Sequence, residues 1–256
     1  MLFCGYSNGL ILNYKYNPTD KTYQYANKFH PYQNTDVIDI DQFDTDVLLT
    51  CTHNEVSLFN LTKGKSIPLK GHESTPIAVS AHPVSPYVIS VSNAIIEHDV
   101  RIRNPINVNF ITPPAYDIEF FPDGKEFLLS GEPCRIGRSK WIRTLLNGIA
   151  KPSFNSKFVA SNDMNGTLSL WDWRESEQVA CISGVKNLET YQPINFGLKN
   201  GNIRDILFFQ DNGFIMKYDI LTRNRTEHKL FDIGKHDNWK MTTRTADCST
   251  KSVILY

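Results

Sequence analysis

Neither sign of charge is in excess in this chain: lysine and arginine together number 27, and so do aspartate and glutamate. A balanced protein projects no long-range field, so nucleic acid is not an expected partner and an anionic membrane surface has nothing global to attract. Long apolar runs are missing too, since none approaches the roughly 20 residues that a bilayer span needs. The start, MLFCGYSNGLIL, has no basic leader and meets a glycine and an asparagine within its first ten residues. These absences predict a soluble, unsecreted protein of the cytoplasm, the nucleus or both, with no membrane insertion. The five cysteines, at 4, 51, 134, 181 and 248, are odd in number and form no CxxC pair, which suits free or buried thiols in a reducing compartment.

Catalytic signatures are equally scarce. The seven histidines include no HxxxH, none stands near a cysteine at zinc spacing, and no GxSxG elbow occurs. The segment GEPCRIGRSK (131 to 140) resembles a phosphate loop only in outline, because its glycines are one residue too far apart and Arg138 stands where the loop needs lysine. No metal, no cofactor and no enzymatic activity are expected. Helical spacing is rare as well, whereas short alternating or apolar runs bounded by Gly, Asn, Asp and Pro recur throughout, which predicts an all-β chain. At 256 residues, with no linker-like stretch, it reads as a single domain over 1–256.

The runs repeat. NGLILNYKY (8 to 16), NEVSLFNLT (54 to 62), NAIIEHDVR (93 to 101), NGTLSLWDW (165 to 173) and NGFIMKYDI (212 to 220) each open with Asn and carry a ring at the sixth place: Tyr14, Phe59, His98, Trp171 and Tyr218. Before each lies an apolar segment ending in a turn, so the unit is strand, tight turn, strand. The rings recur at roughly 40 to 45 residues with one interval nearly double, which is the period of a four-stranded propeller blade. A drifted copy fills the gap: YDIEFFPDGKEFLLSG (116 to 131) supplies the strand, Pro-Asp-Gly turn and second strand that open a blade.

Gly71-His72, the turn Pro122-Asp123-Gly124 and the terminal Trp171-Asp172 make the chain similar to the WD-repeat family over nearly its whole length. The resemblance implies a β-propeller of about six, or seven, four-stranded WD-repeat blades, closed by pairing of N- and C-terminal strands. On the six-blade count SVILY (252 to 256) is one strand more than the ring requires. In the family a Gly-His histidine, a second-strand hydroxyl, a turn Asp and the Trp form a hydrogen-bonded set within a blade. The resemblance places Ser161, Asp163 and Trp171 in three of those positions in one blade. His72 and Ser90 keep two in another, where Asn93 stands at the turn and His98 replaces the Trp.

Two charged stretches and one motif are candidate binding elements. Arg135, Arg138, Lys140 and Arg143 form a possible basic patch for a phosphate or an acidic peptide, against the plainer reading of a solvated blade edge whose charges discourage aggregation. Asp36, Asp39, Asp41, Asp44 and Asp46 flank an inner strand as a possible acidic patch for a basic tail, or simply as a polar loop and strand face. Alternation in Trp171-Asp172-Trp173-Arg174 puts the two rings on one face and Asp172 with Arg174 on the other. The stretch VASNDMNGTLSLWDWR (159 to 174) also resembles the box by which WD-repeat substrate receptors dock on the adaptor of a cullin-RING ubiquitin ligase. That resemblance makes Asp172 and Arg174 partner contacts, with Asp99 and Arg101 as a second copy, although an Asp-x-Arg pair at this strand end is also ordinary architecture in such repeats.

The function these readings predict is a non-catalytic scaffold or adaptor that binds other proteins or extended peptides within a hetero-complex, a ubiquitin-ligase substrate receptor being its first specific form. A structural propeller of a coat, nuclear pore or chromatin complex, completed by a partner's strand or blade, is the second. A propeller hydrolase is the alternative from another class, and it needs histidines and carboxylates converging in a central funnel.

Overall fold

The computed structural model describes the chain except residues 1, 7, 18, 20–21, 103, 113–114, 132, 138–140, 145–148, 153–156, 163–166, 176, 183–193, 200–201, 210–213, 220–221, 223, 230–240, 243–253 and 256. The described residues are all-β, with strands and no helix. They group into two compact units, Met1–Ile118 with Arg244–Tyr256, and Glu119–Thr243.

Three sheets belong to the first unit. The first has three strands, β1 (Leu2–Gly5), β2 (Ile11–Asn17) and β3 (Thr22–Phe29), in that order. The second is β4 (Val37–Asp44), β5 (Val47–Thr52), β6 (Val56–Asn60) and β7 (Lys65–Leu69). The third is β8 (Ala78–Ala81), β9 (Tyr87–Val91), β10 (Ala94–Asp99) and β11 (Pro105–Phe110). The fourth sheet, β12 (Ala115–Phe120), β13 (Phe127–Gly131), β14 (Arg135–Gly137) and β15 (Trp141–Thr144), begins in the strand where the first unit gives way to the second. The second unit continues with β16 (Ile149–Pro152), β17 (Phe158–Asn162), β18 (Leu168–Asp172) and β19 (Glu177–Ile182), then β20 (Ile194–Lys199), β21 (Asn202–Phe209), β22 (Phe214–Asp219) and β23 (Arg225–Lys229). Two short strands follow, β24 (Met241–Thr242) and β25 (Ile254–Leu255), and β25 runs close to β1. For β15, β20, β21 and β23 to β25 the backbone alone is described.

Each sheet is an antiparallel meander whose spatial order is its chain order. The repeat explains why. In the first three sheets the asparagines Asn8, Asn54 and Asn93 lie in the tight turns β1–β2, β5–β6 and β9–β10. Gly9, at φ 81°, donates its N–H to Tyr6 O at 3.1 Å, and Asn8 Oδ1 accepts from Leu10 N–H at 3.1 Å, so the turn is built by its own side chain and a left-handed glycine. The drifted copy also folds as a full four-stranded sheet. Its Pro-Asp-Gly turn closes as expected, with Gly124 at φ 70° donating to Phe121 O at 2.8 Å.

The middle strands show why their sequences read as continuous apolar runs. In β5, β9 and β13 almost every residue is buried, because both faces of a middle strand are covered, whereas outer strand β11 is almost wholly exposed and β7 is only partly covered. The apolar cores lie between successive sheets. Phe3, Ile11, Ile40, Leu48 and Phe59 join the first to the second, while Leu49, Val56, Leu58, Val79 and Val88 join the second to the third. In the second unit Phe121, Leu128, Ile136, Val159 and Trp173 form a comparable cluster. In three sheets the ladder to the outer strand slips immediately before the repeat's ring residue, at Asn13/Tyr14, Glu97/His98 and Leu170/Trp171. Such a bulge re-aims the side chains around it.

Gly9 supplies a test of the packing. A Cβ there would lie 2.0 Å from the Tyr32 carbonyl oxygen, while Gly64, at φ 61°, has open space around the same position. Gly9→Ala is expected to destabilise by about 2–3 kcal/mol and Gly64→Ala by about 1 kcal/mol, the difference being steric overlap added to conformational strain. Urea unfolding of both variants checks the order.

Candidate functional site

The loops that enter β4 and β8 carry the most elaborate hydrogen bonding among the described residues. In the third sheet Gly71 takes φ 124°, and a Cβ there would meet Pro105 Cγ at 2.6 Å, so only glycine lets His72 turn inward. His72 Nε2 then lies 2.7 Å from Ser90 Oγ and its Nδ1 2.9 Å from Ser92 Oγ. Ser92 in turn donates to Asn93 Oδ1 at 3.1 Å, and Ser74 Oγ reaches the same oxygen at 2.8 Å. The network therefore extends from the loop histidine through the second strand into the turn. The ring of His98 stands apart from this chain. Its Nε2 donates to Lys70 O at 2.6 Å, and its buried Nδ1 has no hydrogen-bond partner among the described residues.

Burial shapes the titration of both rings. His72 is pushed down to about 4, first by desolvation and then by neighbouring His98, and burial also lowers His98. Both are neutral at pH 7, so the pair works as a hydrogen-bonding framework rather than as a charge.

The second sheet holds an equivalent that the sequence reading missed. Tyr32, in the loop before β4, places its hydroxyl against Thr50 Oγ1, Ser57 Oγ and, at 3.2 Å, Ser66 Oγ. Thr50 occupies in β5 the place of Ser90 in β9, since Ile40 of β4 pairs with Thr50 as Val79 of β8 pairs with Ser90. A tyrosine thus meets the second-strand hydroxyl where the next sheet uses a histidine. Burial raises the Tyr32 pKa and keeps the phenol protonated as a donor. The available signal was His-Pro-Tyr at 30 to 32, at the same distance before its strand as Gly-His, but without the glycine that marks the motif.

The five aspartates do not gather into one surface. Asp39 and Asp41 are buried. His82 N–H bonds Tyr87 O, so alternation along β8 turns the N–H groups of Ala81 and Val79 away from β9. Asp39 Oδ2 accepts from Val79 N–H at 2.9 Å and Asp41 Oδ2 from Ala81 N–H at 2.5 Å, while their Oδ1 atoms accept from Ile40 and Gln42. Asp36 stands before the other end of β4 beside His53, at 3.4 Å, and Asp44 and Asp46 are exposed at the β4–β5 turn, roughly 26 Å of extended strand away.

The two Asp-x-Arg copies differ in structure. Asp99 and Arg101 close on each other at the end of β10: Arg101 Nε donates to Asp99 Oδ1 at 2.8 Å, Nη2 to Oδ2, and the Arg101 backbone N–H to Oδ1 at 3.0 Å. The guanidinium holds the Asp99 carboxyl below the usual range. Asp172 and Arg174, by contrast, are parted. Asp172 is buried and meets Lys157 Nζ at 3.2 Å, whereas Arg174 is about half exposed, lies over the Trp173 ring and reaches Asp123 Oδ2 at 3.2 Å. The expected outward pair is corrected on this point. Strand β18 ends at Asp172, so Trp173 and Arg174 lie in the turn beyond it and the alternation on which the pair rested stops there. Trp173, beyond the strand, is the ring packed in the core, 5.1 Å from Phe121, while Trp171 is only partly buried and its Nε1 has no acceptor among the described residues.

Ser161 is buried opposite Ser169, and Asp163 lies outside the described residues. Of the basic stretch, Arg138 and Lys140 also lie outside them. Arg135 and Arg143 sit on adjoining strands, where Ile136 pairs with Arg143.

Two measurements follow. Asp39→Ala leaves the Val79 N–H buried without its acceptor and is expected to cost about 1–3 kcal/mol in urea unfolding, while exposed Asp44→Ala stays within about 0.5 kcal/mol. For His72, the unfolded imidazole titrates near 6.5 and the folded one near 4. As pH falls the unfolded chain binds the proton first, so this contribution is fully present above about 6.5 and declines toward 4. After allowance for the ring's partial exposure the loss is roughly 1–2 kcal/mol. Unfolding series at pH 7 and pH 4.5 should show a smaller acid loss in His72→Gln than in the native chain.

The chain matches no family model and no curated protein.

Proposed function

We propose that the successive meanders are blades of a WD-repeat-like β-propeller, six in number, and that the protein is a non-catalytic interaction scaffold within a multiprotein complex. The observation that carries this reading is the repeated sheet order, joined to a loop ring that meets a second-strand hydroxyl in two successive sheets, His72 with Ser90 and Tyr32 with Thr50. Sheets pinned in this way make a rigid frame whose loops and outer edges remain free to bind. Ring closure by terminal strands belongs to the same proposal and is supported by β25 running close to β1.

Its specific form is a substrate receptor that docks on a ubiquitin-ligase adaptor through Arg174. The half-exposed Arg174 guanidinium, which lies over Trp173 and meets Asp123 at 3.2 Å, is favoured over that of Arg101, which is closed on the carboxylate two residues before it by both Nε and Nη2. A second reading, the structural propeller completed by a partner's strand, has one observation behind it: among the described residues the first sheet has three strands where the next five have four.

Arg174→Glu distinguishes them. On the receptor reading this variant keeps its unfolding free energy to within about 1 kcal/mol, because the contact it removes is largely exposed, and no longer co-purifies the adaptor from cell extract. Undiminished co-purification, or no adaptor with the native chain, ends the receptor reading.

A further inference from the structure

Outer strands of stacked sheets present a row of unpaired backbone groups, and proteins normally blunt such edges with charge or proline. This chain does so at several of them. Strand β7 has Lys65 and Pro68 exposed, β19 begins at exposed Glu177, and β23 reads RTEHK. Strand β11, PINVNF, carries no charged residue, and its one proline is its first residue. Among the described residues it pairs only with β10. Ile106, Val108 and Phe110 are 46%, 43% and 74% exposed, and Val108 and Phe110, at alternate positions of the regular ladder, share one face. Nothing in the folding of the third sheet requires them, since their neighbours Asn107 and Asn109 are exposed as well.

The backbone of the strand is equally poised. Ile111 N–H bonds Asn93 O, and Ile95 and Glu97 stand opposite Asn109 and Asn107. Alternation therefore turns the N–H and C=O groups of Asn107 and Asn109 toward β10 and those of Val108 and Phe110 outward. The slip at Glu97/His98 leaves Ile106 as the extra residue of β11, and the ladder is regular from Asn107 to Phe110.

We propose that β11 is a self-association edge and that its occupant is the β11 strand of a second copy of this chain. The sequence Ile-Asn-Val-Asn-Phe has the same polarity read in either direction about Val108. Two copies pairing antiparallel across a two-fold axis at Val108 set Val108 opposite Val108 and Asn107 opposite Asn109, with Phe110 of each copy meeting the bulge at Ile106 of the other. Such a contact is isologous and closes at two. Electrostatics do not oppose it, because the chain has a formal net charge of zero and the strand has no charge of its own. The area sets its strength. A six-residue edge, about 20 Å long, covers less than the roughly 800 Å² per partner of a tight complex, so the dimer is a reversible one that forms at micromolar concentrations or above.

Sedimentation velocity of the purified full chain across low micromolar to near-millimolar concentrations tests this. The native chain should shift from monomer to dimer, and Val108→Lys, at an exposed position, should remain monomeric with an unchanged circular dichroism spectrum. Register is read by cysteine placement under mild oxidation: Val108→Cys should give a disulfide-linked dimer and Asn107→Cys should not, with the native chain run beside them to report disulfides made by its own cysteines. A native chain that stays monomeric at every concentration, a dimer that survives Val108→Lys, or equal cross-linking at 107 and 108 each overturns the proposal.

Discussion

The first strand of a sheet turns one row of N–H groups away from its own sheet, and the stacking of the described sheets depends on how those groups are met. A buried N–H without an acceptor costs about 1–3 kcal/mol, enough to forbid close stacking if it recurred along the strand. In the third sheet Asp39 and Asp41, from the sheet before, accept from Val79 and Ala81. In the second unit the equivalent position, Ala150 of β16, donates to Ser130 Oγ at 3.0 Å and its carbonyl accepts from the same hydroxyl at 3.1 Å. Carboxylate in one place and hydroxyl in the other, the preceding sheet supplies the partner. Stacking is therefore directional as well as apolar.

The second constraint is the loop ring. A sheet with both faces covered has few places for polar atoms, and its second strand nevertheless keeps a hydroxyl buried: Thr50, Ser90, Ser130 and Ser161. Two of these are met by a ring from the loop before the inner strand, and a third by the backbone of the next sheet. What persists from sheet to sheet is a buried hydroxyl, while its partner changes from phenol to imidazole to peptide. A hydroxyl that both donates and accepts tolerates such exchange, which a fixed donor or acceptor would not.

The same economy explains the charged residues. Charges that looked available for partners are largely engaged within the fold: Asp39 and Asp41 on a strand edge, Asp172 on Lys157, Arg101 on Asp99. The proposed docking role accordingly narrows to Arg174, and the proposed self-association rests on a strand without charge. Polar side chains that hold the sheets together in this way are not available to a partner.

The repeat was legible in the sequence because its causes are local. Turn chemistry at Asn8-Gly9 and Pro122-Asp123-Gly124, apolar runs for middle strands and alternating ones for edges depend on neighbours a few residues away, and each folded as its composition required. The His72–Ser90 contact was legible too, through the glycine that only one backbone conformation explains. Which polar residues are buried was decided by tertiary structure alone. Asp39 meets Val79 of the next sheet, Tyr32 meets Thr50 of its own, and Arg174 leaves Asp172 for Asp123, contacts that join residues 18 to 51 positions apart along the chain. No periodicity records such distances. The sequence by itself determined the strands and their turns; the packing of one sheet on the next determined which side chains those strands could leave for a partner, since burial is a property of the neighbouring sheet and not of the strand that carries the residue.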